Sequence, residues 1–334
     1  MRGGADGTGS GSCVRLTRVL RFAHLSDWHA TTLSRAGLGV LRGKRLSGWA
    51  SWRLNRRRHH SVRILEAAFR DVQAQDVDHV LVTGDLTHVS LESEFLAAAR
   101  QLERLGSAER VFLIPGNHDC YVPVAPERSW DHWSDYLRGM PEERIPADFA
   151  DCLGVVPAPG RAPIHSDYPM LRIVGDVALV GLCSSIPTSI FRAGGRLGSV
   201  QLERLEGLLD RLGRAGLCRI LMIHHPITTG GDSARRALWD GASLREVLGR
   251  VGAELVLHGH KHRRRIDHVT GPEGEIPVIG VPSTSEVGSR QDRPAQYHLY
   301  TVERAEEGDS SGFSLRAEIR GYDGERGEFA PVAG

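Results

Sequence analysis

The chain is poor in cysteine: five residues in 334 (Cys13, Cys120, Cys152, Cys183, Cys218), odd in number, scattered and never paired as C-x-x-C. That excludes a disulfide framework and a zinc ribbon and fits a reducing compartment, the cytoplasm. No apolar run approaches the roughly 20 residues a spanning helix needs, and the opening MRGGADGTGSGSC lacks the apolar stretch of a secretory signal. Excess charge is missing too. With 42 Lys and Arg against 41 Asp and Glu, the formal net charge is +1, which argues against a generally basic nucleic-acid binder and against an acidic disordered chain. One absence is local: from Ala30 to Leu65 there is no Asp or Glu and there are nine Lys or Arg, many of them in KRLSGWASWRLNRRRHH at 44–60 with Trp49 and Trp52. What remains is a soluble chain long enough for one large hydrophobic core. We expect a single domain over 19–320 with a basic insert near 38–60, a glycine-rich tail over 1–18 and a C-terminal tail over 321–334.

Short β-branched runs bounded by turn residues predict strands at 21–26, 79–84, 111–116, 218–225 and 255–259, with a hairpin over 171–183 around Gly175-Asp176 and later strands at 276–281, 297–302 and 314–319. Between them, apolar residues at helical spacing (Val62, Leu65, Phe69, Val72; Phe95, Ala99, Leu102; Leu205, Leu208, Leu212) predict helices, with Ser199 and Ser243 as N-caps. The segment 120–170 reads as loop and short helix. The order is that of an α/β chain with two packed sheets flanked by helices rather than one doubly wound sheet.

Chemistry gathers at the ends of five strands: Asp27 and His29, then Asp85, then Asn117, His118 and Asp119, then His224 and His225, then His260 and His262. Ligands collect beyond the carboxyl ends of strands in open α/β sheets. One strand-end Asp is commonly a turn residue, and one His commonly structural; structural need alone does not place them at five strand ends together. Two carboxylates, an asparagine carbonyl and four imidazoles form a mixed oxygen and nitrogen set suited to Mn²⁺, Fe²⁺/Fe³⁺ or Zn²⁺, and seven donors exceed the needs of one ion. Two divalent metals are expected, able to clamp the attacking and leaving oxygens of a displacement at phosphorus.

SDWH (26–29), GDLTH (84–88), GNHD (116–119), HHP (224–226) and GHKH (259–262) resemble, in order and spacing, the calcineurin-like metallophosphoesterase superfamily over about residues 20–302, most closely bacterial enzymes like the class III cyclic-nucleotide phosphodiesterases. The resemblance implies a four-layer α-β-β-α sandwich of two mixed sheets. It also implies Asp27, His29 and His262 on one metal, Asn117, His224 and His260 on the other, and Asp85 bridging. His118 would protonate the leaving oxygen, with Asp119 orienting it, and a metal-bridging hydroxide would attack a phosphodiester or related P–O bond. Departures from the pattern are Lys261 inside the last pair, expected to face solvent, and His88 where many relatives are acidic.

The basic insert follows the first ligand loop, so it is expected beside the metals, raising the local concentration of anions. Arg56, Arg57 and His225 are the candidate substrate contacts, although His225 could equally serve by hydrogen bonding behind the ligands. Arg263–Arg265 read as a solvated strand end whose position would allow a guanidinium to reach an anionic substrate, Cys120 as a neutral filler, and His79, His132, His165, His268 and His298 as surface or structural. The expected partner is a small phosphorylated substrate, a nucleotide or nucleotide-lipid, with peripheral membrane contact open and no stable nucleic-acid binding. The insert also resembles one in bacterial metallophosphoesterases of lipid A assembly, so a UDP-diacylglucosamine-type pyrophosphatase is the alternative. A non-catalytic scaffold of the same fold is the rival from another class; such scaffolds lose ligand histidines, whereas this chain keeps all of them.

Overall fold

Alternate side chains of one strand join different cores. In β1 (Leu20–Leu25) Leu20 and Phe22 enter one cluster while Ala23 and Leu25 enter another, as the two-residue period of a strand buried on both faces requires. The computed structural model describes residues 18–34, 38–56, 59–228, 233–288, 294–305 and 312–332, with backbone only at 38, 55 and 56. Its first sheet runs β12-β11-β10-β1-β2-β3, built from β1, β2 (His79–Val82), β3 (Val111–Leu113), β10 (Gln296–Arg304), β11 (Phe313–Asp323) and β12 (Glu328–Pro331). The second runs β4-β5-β6-β7-β9-β8, from β4 (Met170–Val174), β5 (Val177–Gly181), β6 (Cys218–Met222), β7 (Leu255–His258), β8 (Arg265–Thr270) and β9 (Glu275–Gly280). Both are mixed: β1, β2 and β3 are parallel, as are β5, β6, β7 and β9, and the remaining pairings are antiparallel.

The inward side chains of the two sheets form the middle core, where Phe22, Leu81, Phe112 and Tyr300 meet Leu179, Ile220, Met222 and Leu257. Outward side chains are covered by helices. α2 (Val62–Ala74) and α3 (Glu92–Leu105) lay Leu65, Phe69, Phe95 and Leu102 on the first sheet, and α6 (Ser199–Arg214) and α7 (Gly241–Val251) lay Leu205, Leu209, Leu244 and Leu248 on the second. The result is the four-layer α-β-β-α sandwich of two mixed sheets. α1 (Lys44–Ser51) and a π-helical turn at Trp52–Arg56 form the insert, while α4 (Ser134–Leu137), α5 (Ala147–Ala150) and several 3-10 turns occupy 120–170.

Residues 328–331, expected within a C-terminal tail, form β12 beside β11, and Phe329 packs on Tyr297 and Tyr322; the run is too short and polar to show a strand period. Ser243 lies inside α7, whose N-cap is Asp240, and the Asp240 carboxylate accepts from the amides of Leu197 and Gly198. Apart from its last residue, the expected tail over 1–18 lies outside the described residues. Among those described, no helix is long and apolar enough to cross a membrane.

Candidate metal centre

Parallel pairing puts the carboxyl ends of β1, β2 and β3 on one edge of the first sheet and those of β5, β6 and β7 on one edge of the second. The two edges meet. His224 Nδ1, past β6, lies 2.6 Å from the Thr83 carbonyl past β2, and the His260 amide donates to Asp27 Oδ2 at 2.9 Å. Asp27, His29, Asp85, His260 and His262 all take left-handed backbone angles, with φ of 52°, 40°, 60°, 69° and 51°. For a residue with a Cβ this costs on the order of 1–3 kcal/mol. Gly84 and Gly116 let two of these loops cross: a Cβ on Gly84 would stand 2.2 Å from the Gly116 nitrogen, and one on Gly116 2.2 Å from Asp85 Oδ1.

Three groups of donors converge, with the ligand atoms of each within 4.8 Å of one another: Asp27, His29 and His262; His29, Asp85 and His118; Asp85, His224 and His260. Asp85 Oδ2 lies 3.6 Å from His29 Nε2 and 3.4 Å from His224 Nε2. His262 Nε2 is 3.3 Å from Asp27 Oδ1, and Asn117 Oδ1 lies 3.1 Å from His224 Nε2 and 2.7 Å from His260 Nδ1. All seven expected ligands therefore stand together, and Asp85 is shared between the two halves.

This donor set fits divalent cations. His29 Nδ1 sits 2.6 Å from the Thr87 carbonyl and His224 Nδ1 2.6 Å from that of Thr83, so each ring donates at Nδ1 and turns the lone pair of Nε2 toward carboxylate and amide oxygens. Acceptors thus face acceptors, and among the described residues buried Asp27 Oδ1 and His29 Nε2 have no hydrogen-bond partner. A cation, or a proton in its place, resolves the conflict. Burial pushes His224 and His262 down, but the neighbouring carboxylates, Asp85 for the first and Asp27 for the second, more than reverse this and raise each to about 9.

Two expectations need correction. Asp119 does not orient His118: its carboxylate accepts from the amides of Asp85, Leu86, Thr87 and Gly116 at 2.8–3.0 Å and so shapes the ligand loops. His118 is oriented instead by its Nδ1, 2.6 Å from the His88 carbonyl, and by stacking on Tyr121 at 5.5 Å. His225 is buried, with Nδ1 2.8 Å from Ser184 Oγ and Nε2 3.2 Å from the Ala193 carbonyl; with both nitrogens engaged it supports His260, 4.6 Å away ring to ring, rather than touching substrate.

Sequence reasoning missed His60 and Glu286. The two pair as a β-bridge; the His60 ring lies 5.1 Å from that of His29, and Glu286 Oε2 lies 3.5 Å from His262 Nδ1. No local pattern announces such a pairing across more than 220 residues. His88 stacks on His29 at 5.3 Å.

The ligands open into a cavity of about 590 Å³, roofed by the insert through Lys44, Ser47, Gly48, Ser51 and Trp52. Trp52 is buried among Leu33, Val89 and Leu91, and Arg45 donates to the Val89 and Ser90 carbonyls, which moors the roof. The Arg56 side chain and Arg57 lie outside the described residues. Among the described residues, Lys44 of the insert, Arg192, Arg236 and Arg263–Arg265 supply cations to the cavity; Arg263 and Arg264 are exposed, so the last run is both solvated and part of the rim. Lys261, expected to face solvent, lines it as well. A signal was available, because Lys44 and Lys261 are the only two lysines beside forty arginines, and both face this cavity.

A family model described as calcineurin-like phosphoesterase matches residues 20–264. A probable cyclic nucleotide phosphodiesterase of Synechococcus sp. is 27% identical over 240 residues, 71% of this chain and 76% of the relative. Among solved structures, a dimetal phosphatase from Danio rerio is similar with a TM-score of 0.50 and 15% identity, over 94% of this chain and 98% of that one. The NAD nucleotidase of Haemophilus influenzae is similar with a TM-score of 0.46 and 15% identity, over 95% of this chain; the chain spans 60% of the nucleotidase's length.

Proposed function

The chain belongs to the calcineurin-like phosphoesterase family, and from that premise we propose that it is a cytoplasmic dimetal phosphodiesterase acting on a small nucleotide-type phosphoester. Fold and ligand geometry are those of a metal-dependent phosphoesterase. The observation that carries the dimetal reading is the shared carboxylate: one oxygen of Asp85 serves both His29 and His224, at 3.6 and 3.4 Å. Asp27, His29 and His262 would hold one cation, Asn117, His224 and His260 the other, and Asp85 both; mixed nitrogen and oxygen donors suit Mn²⁺, Fe or Zn²⁺. When bound, such a pair polarises phosphoryl oxygens and lowers the pKa of water. His118, held through Nδ1, keeps Nε2 as the ring atom that exchanges a proton with the leaving oxygen. The cationic rim attracts the substrate's negative charge. The phosphodiesterase name of the Synechococcus relative, at 27% identity, supports the diester among P–O bonds.

The test compares bis(p-nitrophenyl) phosphate, cyclic AMP and a UDP-linked acyl sugar with Mn²⁺ present, on the wild type and Asn117→Ala. We expect diester hydrolysis that Asn117→Ala abolishes together with part of the bound metal. A fully active Asn117→Ala would overturn the ligand assignment; preference for the UDP-linked acyl sugar would favour the pyrophosphatase; absence of both metal and activity would favour the scaffold.

A further inference from the structure

One aromatic side chain in the cavity has no structural employment. Trp52 is packed into the roof and Tyr121 stacks on His118, whereas Phe191 lines the same cavity at 81% exposure, and among the described residues no ring packs on it. Its φ of 64° is unfavourable for a bulky side chain, so the fold holds a large apolar group in water in a strained backbone state. Water alone gives no reason to retain that combination.

The turn that presents it is held at both ends. The Arg192 amide donates to the Ser189 carbonyl at 3.1 Å, Thr188 Oγ1 donates to the Arg192 carbonyl at 2.7 Å, and Lys44 of the roof helix donates to Thr188 Oγ1 at 2.8 Å. On the far side the Ala193 amide donates to the Arg235 carbonyl at 2.8 Å, and the Ala193 carbonyl lies 3.2 Å from Nε2 of His225, beside the ligand His260. Phe191 is therefore fixed relative to the metal ligands. Arg192 and Arg236, which line the same wall, make no ion pair among the described residues.

From this geometry we infer that Phe191 is the stacking platform for the base of a nucleotide whose phosphate lies at the metal ligands, with Arg192 beside it for the substrate's negative charge. The inference rests on the phosphoesterase reading and adds the substrate's second recognition element. An acyl chain would need a continuous apolar trough, whereas Phe191 is a lone flat face among cationic side chains, the setting that suits the π-face of a base.

The test uses the full chain loaded with Mn²⁺. Calorimetric titration with AMP and with ribose 5-phosphate, on the wild type, Phe191→Ala and Phe191→Tyr, separates the base from the phosphate. Because Phe191 is 81% exposed, neither substitution threatens folding. We expect the wild type to bind AMP about tenfold or more tighter than ribose 5-phosphate, Phe191→Ala to lose that preference by weakening AMP alone, and Phe191→Tyr to keep it. Equal binding of the two ligands by the wild type, or an unchanged preference in Phe191→Ala, overturns the inference. An AMP preference that depends on Phe191 without hydrolysis of either cyclic AMP or bis(p-nitrophenyl) phosphate would support the platform and remove the phosphodiesterase reading. Hydrolysis without that preference would do the reverse.

Discussion

At the scale of the residue, Asp119 and His118 are neighbours with separate tasks. Asp119→Ala would strand four buried amide donors and remove the acceptor that aligns the Asp85 loop. A loss of about 3 kcal/mol or more is expected in urea denaturation, with weakened metal uptake. His118→Asn is expected to leave metal content unchanged and lower kcat for cyclic AMP by roughly 10²–10⁴, and by much less for bis(p-nitrophenyl) phosphate, whose leaving group needs little protonation. An equal loss on both substrates would remove His118 as the acid. His224 and His262, raised to about 9 by the carboxylates against burial, carry protons at neutral pH until a cation displaces them. Apparent Mn²⁺ affinity should therefore rise as pH increases from 6 toward 9, with protons released on binding in weakly buffered solution.

At the scale of the element, the insert's value lies in its mooring. Trp52 and the Arg45 hydrogen bonds fasten α1 to the loop after His88, and the buried Glu94 carboxylate at the start of α3 accepts from Thr31 Oγ1 and from the amides of His88, Val89 and Leu91. Roof, ligand loop and helix start form one connected unit. Trp52→Ala should open the roof locally, seen as protease cleavage within 38–60 and a raised KM, with little change in the midpoint of global unfolding; an intact roof under protease would contradict this. The elements themselves were largely legible. Apolar period and turn residues located β1, β2, β3, β6, β7 and the β4–β5 hairpin, because strands buried on both faces read as short apolar runs. β8 was not legible: RIDHVT alternates exposed and half-buried positions at the sheet margin, with only Val269 fully buried.

At the scale of the whole molecule, Arg172 on β4 joins the second sheet to the end of the first. Buried beneath the Phe112 ring, it donates to the carbonyls of Ala108, Val111 and Arg138 at 2.7–3.0 Å. Among the described residues this guanidinium is served by carbonyls and has no carboxylate partner, so its deletion leaves stranded acceptors and a cavity between the sheets. Arg172→Ala should cost on the order of 3 kcal/mol or more in denaturation. Between the sheets, His24 and His298 are buried and pushed down, His298 to about 3, chiefly by burial. Folded, they stay neutral as pH falls; unfolded, they take up protons near 6.5, so stability declines from about pH 6.5 downward, by up to about 1.4 kcal/mol per pH unit for each. The urea midpoint should follow that slope, and His298→Gln should flatten it.

What the sequence by itself determined is local: the strands and helices, the five strand ends bearing Asp, Asn and His, and the cationic stretch beside the first of them. Each is written within a window of a few residues, where side-chain period and turn chemistry act. The tertiary structure decided the rest. It brought Glu286 to His60 and His262, gave the Asp119 carboxylate to the amides around Asp85, closed His225 behind the ligands, added Arg192, Arg236 and Arg263–Arg265 to the cations of the cavity, and left Phe191 exposed at the cavity. These depend on which strand ends the two sheets bring face to face, and contacts between residues tens to hundreds of positions apart leave no periodic trace in the chain.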